Sequence, residues 1–176
     1  SVVEESRKEI VDSINYAKRI QYALLANDEL LDRNLRNWFI YFQPKDIVSG
    51  DFYWATEHNG KFYLAVCDCT GHGVPGAFMS LLNIGFMSEA IKEKNIVEPS
   101  EIFDYVRTRL IESISKDNQQ DGMDGILICF DITLKNSGIR NLSYAAANNA
   151  PILCRKNKDT FDLIELPKDK MPVGKG

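Results

Sequence analysis

Apolar residues recur every seven positions over residues 3 to 31, at Val3, Ile10, Ala17, Leu24 and Leu31. Ile14 and Ile20 partly fill a second stripe, and no Gly or Pro intervenes. This pattern predicts an amphipathic helix whose period admits a coiled coil. Arg7, Gln21 and Asp28 fall on core-like positions of the stripe, so a helix lying on its own domain fits the same residues. Residues 37 to 43 alternate and predict a first strand, ended by Pro44. Asn59-Gly60 then marks a hairpin, because a type I′ turn needs φ > 0 at both central residues and these two residue types tolerate it. A two-residue loop sets His58 opposite Lys61, and every further pair keeps the same index sum. One face of the hairpin carries Tyr53, Ala55, Leu64 and Val66, the other Phe52, Trp54, Tyr63, Ala65 and Cys67. Both faces are largely apolar, which predicts a sheet covered on both sides, by helices on one face and by a second sheet on the other.

Residues 76 to 94 are apolar around most of a helical circumference (Phe78, Met79, Leu81, Leu82, Ile84, Phe86, Met87) and predict a central, buried helix. A second, antiparallel helix is predicted from an N-cap at Ser100 to about Lys116, with Phe103, Val106, Leu110 and Ile114 in one stripe. The second half reads as strands. Residues 126 to 134 are apolar and β-branched, Asn136-Ser137-Gly138 turns the chain, and residues 139 to 147 return. Residues 152 to 156 and 160 to 166 form a further hairpin around Asn157-Lys158-Asp159. Asp121-Gly122-Met123-Asp124-Gly125 lacks the ligand spacing and closing Glu of a calcium loop and reads as a polar loop at a strand entrance. Asp131 reads as an edge position or a structural acid.

Composition narrows this picture little. At 176 residues the chain suits one domain with an appendage: a helix over residues 1–35 and a domain over 36–176. Hydrophobic content of 44% and charged content of 26% are ordinary for a globular chain. No stretch approaches the eighteen or so apolar residues of a membrane span and no signal peptide is recognisable, so direct membrane insertion is not expected. A net charge of −4 argues mildly against nucleic acid as a partner. Of the four cysteines, Cys67 and Cys69 flank Asp68 and point to the opposite face, while Cys129 and Cys154 lie in later strands. Reduced, buried, strand-borne thiols in a cytoplasmic protein are expected. A Cys67-Cys69-His72 zinc site is the alternative, although its spacing fits no common finger pattern.

The hairpin register also carries candidate chemistry, since it sets Asp51 directly across from Asp68. Cross-strand partners have Cβ atoms about 4.5–5.5 Å apart, and like charges there repel. A shared proton or a divalent cation with oxygen ligands would offset the repulsion. A register slipped by one residue would instead put the two acids on opposite faces. After Asp68, Thr70-Gly71-His72-Gly73-Val74-Pro75-Gly76 is a glycine-rich loop opening a helix, where backbone approaches a ligand closely and N–H groups face an anion. An acid pair beside an anion-binding helix start points to metal and phosphate.

Two blocks, Lys45-Asp46-Ile47-Val48-Ser49-Gly50-Asp51-Phe52-Tyr53-Trp54 and Val66-Cys67-Asp68-Cys69-Thr70-Gly71-His72-Gly73-Val74-Pro75-Gly76-Ala77, resemble the first two metal motifs of PPM-type (protein phosphatase 2C-like) serine/threonine phosphatases. The similar branch is that of stage II sporulation protein E and the sigma-factor regulator phosphatases. Tyr144-Ala145-Ala146-Ala147-Asn148-Asn149-Ala150-Pro151 and Met171-Pro172-Val173-Gly174 resemble later family blocks, so the resemblance spans residues 36 to 176. It implies an α+β fold, a layered α-β-β-α sandwich of antiparallel sheets flanked by helix pairs, with residues 1–35 as a signalling helix from an upstream sensor and a homodimer through that helix. It further implies Mn²⁺ or Mg²⁺, with Asp68 bridging two ions, the Cys69 carbonyl ligating one, and Asp51 ligating or ordering water beside it. Gly71, His72 and Gly73 then contact substrate, His72 as a loop residue oriented by its neighbours or, alternatively, in a chemical role. The implied reaction is hydrolysis of phosphoserine or phosphothreonine on a regulatory protein such as an anti-sigma-factor antagonist of a bacterial partner-switching pathway.

One departure stands out. The family carries two further aspartates near its C-terminus, in a Ser-Asp-Gly block and a final Asp-rich block, and this chain ends at Gly174-Lys175-Gly176 before either. Two expected ligands and the closing strands are therefore missing, which predicts a fold incomplete at the C-terminus, an exposed sheet edge and a fragment that fails to hold its metal and is inactive. The expectation is that the natural protein continues beyond Gly176. A catalytically inactive phosphoprotein-binding or signal-transmitting module is the alternative.

Overall fold

A computed structural model of the chain describes residues 1–114, 121–133 and 141–175. Helix α1 (Val2–Leu24) opens with a capping box between Ser1 and Glu4. It does not run on to residue 31 as the sevenfold series predicts. Leu25 is extended, Leu25 and Ala26 turn into the core, and Asn27 caps a separate helix α2 (Asp28–Asn34) by accepting the Leu30 N–H at 2.8 Å. The seven-residue period survives the break, but its last member, Leu31, is buried within the domain while Leu24 stays exposed. Residues 37 to 43 form no strand, contrary to the alternation there. They cross the sheet face as extended chain, and Phe42 packs edge-on against Tyr22 and Tyr53 instead of pairing through its backbone.

The hairpin forms as its turn demands. Asn59 and Gly60 take φ of 47° and 76°, and strands β1 (Asp51–His58) and β2 (Lys61–Cys69) pair from His58↔Lys61 through Asp51↔Asp68. β3 (Gly122–Asp131) pairs antiparallel with β2 and then with β4 (Leu142–Ala147), giving the order β1-β2-β3-β4, with β7 (Val173–Gly174) also on β3. β3 begins four residues before the predicted start, so Asp124 belongs to a strand and not to a loop. Asp131 ends β3 and bonds the Thr133 backbone. The turn predicted at 136–138, the start of the return strand at Ile139 and the helix end at Lys116 lie outside the described residues.

Helix α3 (Gly73–Ser88), continued by a π-helical turn (Glu89–Glu93), and helix α4 (Pro99–Ile114) pack on one face of the sheet. α3 starts three residues earlier than predicted, and Pro99 occupies the first position of α4, where a missing N–H costs nothing. Contrary to the expectation that no stretch approaches a membrane span, Gly73–Glu93 is long and apolar enough to cross one by length and composition, but half of it is buried within the fold. Phe52, Trp54, Tyr63, Ala65, Cys67 and Leu127 of the sheet meet Met87, Ile91, Ile102, Val106 and Leu110 of the helices in the main core. Truncating any of these large side chains to Ala would cost about 2–5 kcal/mol.

Among the described residues, the opposite face is covered at its hairpin end by α2 and the residue before its cap, where Leu31 and Ala26 meet Ala55, Phe62 and Phe130, and by the crossing chain at Phe42. The second sheet expected there consists, among the described residues, of the two-stranded ribbon β5 (Ile152–Asn157) and β6 (Thr160–Glu165), every residue of which is exposed. The fold is thus a mixed α+β arrangement of antiparallel sheets with a helix pair on one side and an N-terminal helix. Cys67, Cys69 and Cys129 are buried free thiols, whereas Cys154 on the ribbon is exposed, contrary to the expectation of four buried cysteines.

Candidate functional site

Alternation along β1 and β2 puts Asp51, Tyr53 and Ala55 on the open face with Leu64, Val66 and Asp68, while Phe52, Cys67 and Cys69 face the helices. The predicted acid pair is therefore formed, on one face and as direct cross-strand partners. Its neighbour is a residue that sequence reading placed in a loop: Asp124 of β3 lies directly across from Asp68 on the other side. Three aspartates on three adjacent strands make a row, Asp51-Asp68-Asp124. Asn148, in the third family-like block, donates from Nδ2 to Asp124 Oδ1 at 2.8 Å. The fourth block closes the same end, since Val173 pairs with Met123 and Pro172 lines a cavity of about 370 Å³ together with Asp68, His72 and Asp124. All four blocks thus converge on one end of one sheet. The signal that could have found Asp124 was its even spacing from Ile126 and Ile128, which continues the open-face alternation into the supposed loop.

The row has an electrostatic signature. Partial burial, a hydrogen bond with the Asp51 carboxyl, and the charges of Asp51 and Asp124 together raise the Asp68 carboxyl from its ordinary 3.8 to about 6. Below the row, the loop of residues 69 to 76 lies backbone to backbone on residues 48 to 51. A Cβ at Gly50 would sit 2.5 Å from the Gly71 carbonyl oxygen, and one at Gly76 would sit 2.6 Å from the same atom. Only glycine allows that approach. The Cys69 N–H donates to the Gly50 carbonyl at 3.4 Å, and the Thr70 N–H, in the peptide that carries the Cys69 carbonyl, donates to the Gly122 carbonyl at 2.9 Å, which fixes that carbonyl beside the acids.

The remaining expected site residues fall around this loop. Gly71 has φ of +90°, Gly73 opens α3, and His72 occupies the N-cap position without a capping side-chain bond. The His72 ring instead bonds Asp46, Nδ1 to Oδ2, at 2.8 Å. The zinc alternative fails on this geometry. Cys67 and Cys69 are buried against the helices, burial pushes the Cys69 thiol up to about 12, and His72 is turned outward to Asp46. Among the described residues no three His, Cys, Asp or Glu side chains converge on one point. What the row offers a cation is hard oxygen donors: carboxylates already crowded enough to hold a proton and a fixed backbone carbonyl. This donor set fits Mn²⁺ or Mg²⁺ and not a soft metal.

Beside the acids, the open face forms a cavity of about 570 Å³ between Asp51, Tyr53, Val66, Asp68 and the crossing chain at Trp38–Phe42. A smaller cavity of about 120 Å³ lies on the loop side, between Asp46, Asp51, Asp68 and His72.

The stage II sporulation protein E (SpoIIE) family model matches residues 58–175. Among solved structures, the chain is similar to the SiaA-PP2C domain of Pseudomonas aeruginosa, with 28% identity and a TM-score of 0.78 over 97% of this chain. The chain spans 65% of the length of that domain. A chain from a structure of the bacterial stressosome, described as a modular system adapted to control secondary messenger signalling, shares 20% identity over 70% of this chain and 55% of its own, with a TM-score of 0.47, and adds nothing to the fold assignment. No curated protein matches the sequence. Phosphatases of this fold generally use Mn²⁺ or Mg²⁺. The match over two thirds of the chain, on the fold of a PP2C domain, makes this protein a member of the stage II sporulation protein E family of PPM-type phosphatases.

Proposed function

We propose that this chain carries the metal-binding half of a protein serine/threonine phosphatase that hydrolyses a phosphoserine or phosphothreonine on a regulatory protein. The observation that supports it most is the Asp51-Asp68 juxtaposition, with Asp68 raised to about 6 by partial burial and its neighbours. Charges so placed cost stability unless a proton or a cation joins them. Divalent ions there would lower the pKa of a water and neutralise charge on the phosphoryl group. Asp68, at the centre of the row, would hold the ions together with Asp51 and the Cys69 carbonyl, and Asp124, bonded by Asn148, would extend the donor set. Gly71, His72 and Gly73 present backbone and the N-terminus of α3 to the substrate phosphate. Family membership supports an anti-sigma-factor antagonist as substrate, in the cytoplasm, without nucleic acid or membrane insertion, and a homodimer through α1.

The test is hydrolysis of p-nitrophenyl phosphate by the whole natural protein, with and without Mn²⁺. Mn²⁺-dependent turnover that Asp68→Asn abolishes is expected. A second reading, a phosphoprotein-binding module without turnover, draws on the fact that no three ligating side chains converge among the described residues. No turnover of p-nitrophenyl phosphate at any Mn²⁺ concentration, with tight binding of a phosphoserine peptide, would establish that reading instead.

A further inference from the structure

Thr70 follows the last residue of β2 and, by the register of the acid end, comes opposite Gly122 at the start of β3. A regular antiparallel pair of this kind exchanges two backbone bonds. Here the Thr70 N–H donates to the Gly122 carbonyl at 2.9 Å, but the reciprocal bond goes to the side chain: the Gly122 N–H donates to Thr70 Oγ1 at 3.1 Å. The same hydroxyl donates to the Gly122 carbonyl at 3.1 Å, so it gives and accepts a bond at one residue. It stands in for the carbonyl of its own residue, which leaves the backbone free to turn at Gly71, φ +90°, into the loop that meets Gly50 and Gly76. Gly122 is confined from its other side, where it pairs with β7 and where a Cβ would sit 2.9 Å from the Val173 carbonyl oxygen.

Two of the candidate cation donors flank this clamp. The Cys69 carbonyl shares a planar trans peptide with the Thr70 N–H and points the opposite way, so the bond to β3 aims it toward the β1 side of β2, where Asp51 lies. Asp124 is two residues beyond Gly122 on the same strand face, directly across from Asp68. Cohesion of the strands does not account for the hydroxyl. They are already paired from Lys61↔Asp131 to Cys69↔Met123, and the Gly122 carbonyl already accepts the Thr70 N–H. What the hydroxyl adds is a fixed relation between the peptide that carries the Cys69 carbonyl and the strand that carries Asp124, on the wall of the cavity lined by Asp68, Thr70 and Asp124. Resting on the cation site of the reading above, we propose that Thr70 is a positioning residue, whose hydroxyl holds the Cys69 carbonyl and Asp124 in place relative to Asp68 for a divalent ion. It touches neither ion nor substrate and acts through the Gly122 backbone. Groups that orient metal donors from outside the coordination shell change affinity by about 10–100-fold when removed.

The experiment measures Mn²⁺ binding to the whole natural protein by the EPR signal of free Mn²⁺, without substrate, for the unmodified chain, Thr70→Val and Thr70→Ser. Valine keeps the branched shape and lacks the hydroxyl, whereas serine keeps the hydroxyl. Thr70→Val is expected to weaken Mn²⁺ binding by about 10-fold, and Thr70→Ser to bind as the unmodified protein does. A merely structural role predicts the reverse, a lowered urea midpoint of the metal-free chain with unchanged affinity. Hydrogen exchange at the Gly122 amide of the unmodified, metal-free protein gives a readout that needs no variant to fold. Protection is expected there, and exchange at the rate of an open chain would overturn the proposal. Undiminished Mn²⁺ binding in Thr70→Val, or equal weakening in Thr70→Val and Thr70→Ser, would overturn it as well, while leaving the phosphatase reading intact. If the unmodified protein binds no Mn²⁺, or binds it equally well after Asp68→Asn, the cation site falls and this inference with it.

Discussion

The Asp68 carboxyl stands between Asp51 on one neighbouring strand and Asp124 on the other, and partial burial together with both neighbours raises its pKa. In the metal-free protein its folded value of about 6 exceeds the ordinary 3.8, so the folded chain keeps a proton that the unfolded chain has already lost. That contribution to stability is complete below the ordinary value and disappears as pH rises through the folded one. Urea melts of the metal-free chain should therefore show stability falling as pH rises from about 4 to 6.5, and Asp68→Asn should flatten the fall. Added Mn²⁺ should raise the midpoint more at pH 7.5 than at pH 5, because only the ionised row attracts it, and should do little for the variant. Identical pH slopes for the two proteins would remove the electrostatic basis of the site. The Asp51-Asp68 pair was legible in the sequence because one turn type fixes an index sum. Asp124 was not, because its partner strand is 56 residues from Asp68 and two glycines around it imitate a loop.

The N-terminal helix is where element-scale reasoning was both right and incomplete. Gln21 looked like a flaw in an apolar stripe. In the fold it is 1% exposed, its Nε2 donates to the Ser49 carbonyl at 2.6 Å and to Ser80 Oγ at 2.8 Å, and its Oε1 accepts the Ser49 N–H at 3.0 Å. One amide thus ties α1 to α3 and to the peptide two residues before Asp51. Gln21→Ala leaves buried groups unpaired and should destabilise the domain by about 1–3 kcal/mol, read as a lowered urea midpoint. An unchanged midpoint would mean that α1 docks independently of this amide. The break at Leu25 to Asn27 has a related cause. Continuing one helix from 3 to 31 would carry Leu25 and Ala26 away from the core that now buries them.

For the molecule as a whole, two surfaces lack cover among the described residues: the acid-bearing end of the sheet and most of α1. Val3, Ile10 and Leu24 of the sevenfold series are 77%, 58% and 44% exposed. If they pair with a second copy as the coiled-coil period implies, Ala17→Glu with Leu24→Glu should halve the mass measured by light scattering, and an unaltered mass would refute that pairing. What the sequence determined by itself was everything set by local geometry: the hairpin and its register, which residues share a strand face, the two central helices, and the pairing of Asp51 with Asp68. Those follow from turn type and from periods of 2 and 3.6, which act between residues close along the chain. Only the tertiary structure decided that Asp124 joins the row, that Gln21 is a clasp and not a flaw, and that His72 is turned to Asp46. Each is a contact between residues 24 or more positions apart. Such contacts arise from how finished elements pack: a period of 2 can give the face that Asp124 takes, but not which strand lies beside it.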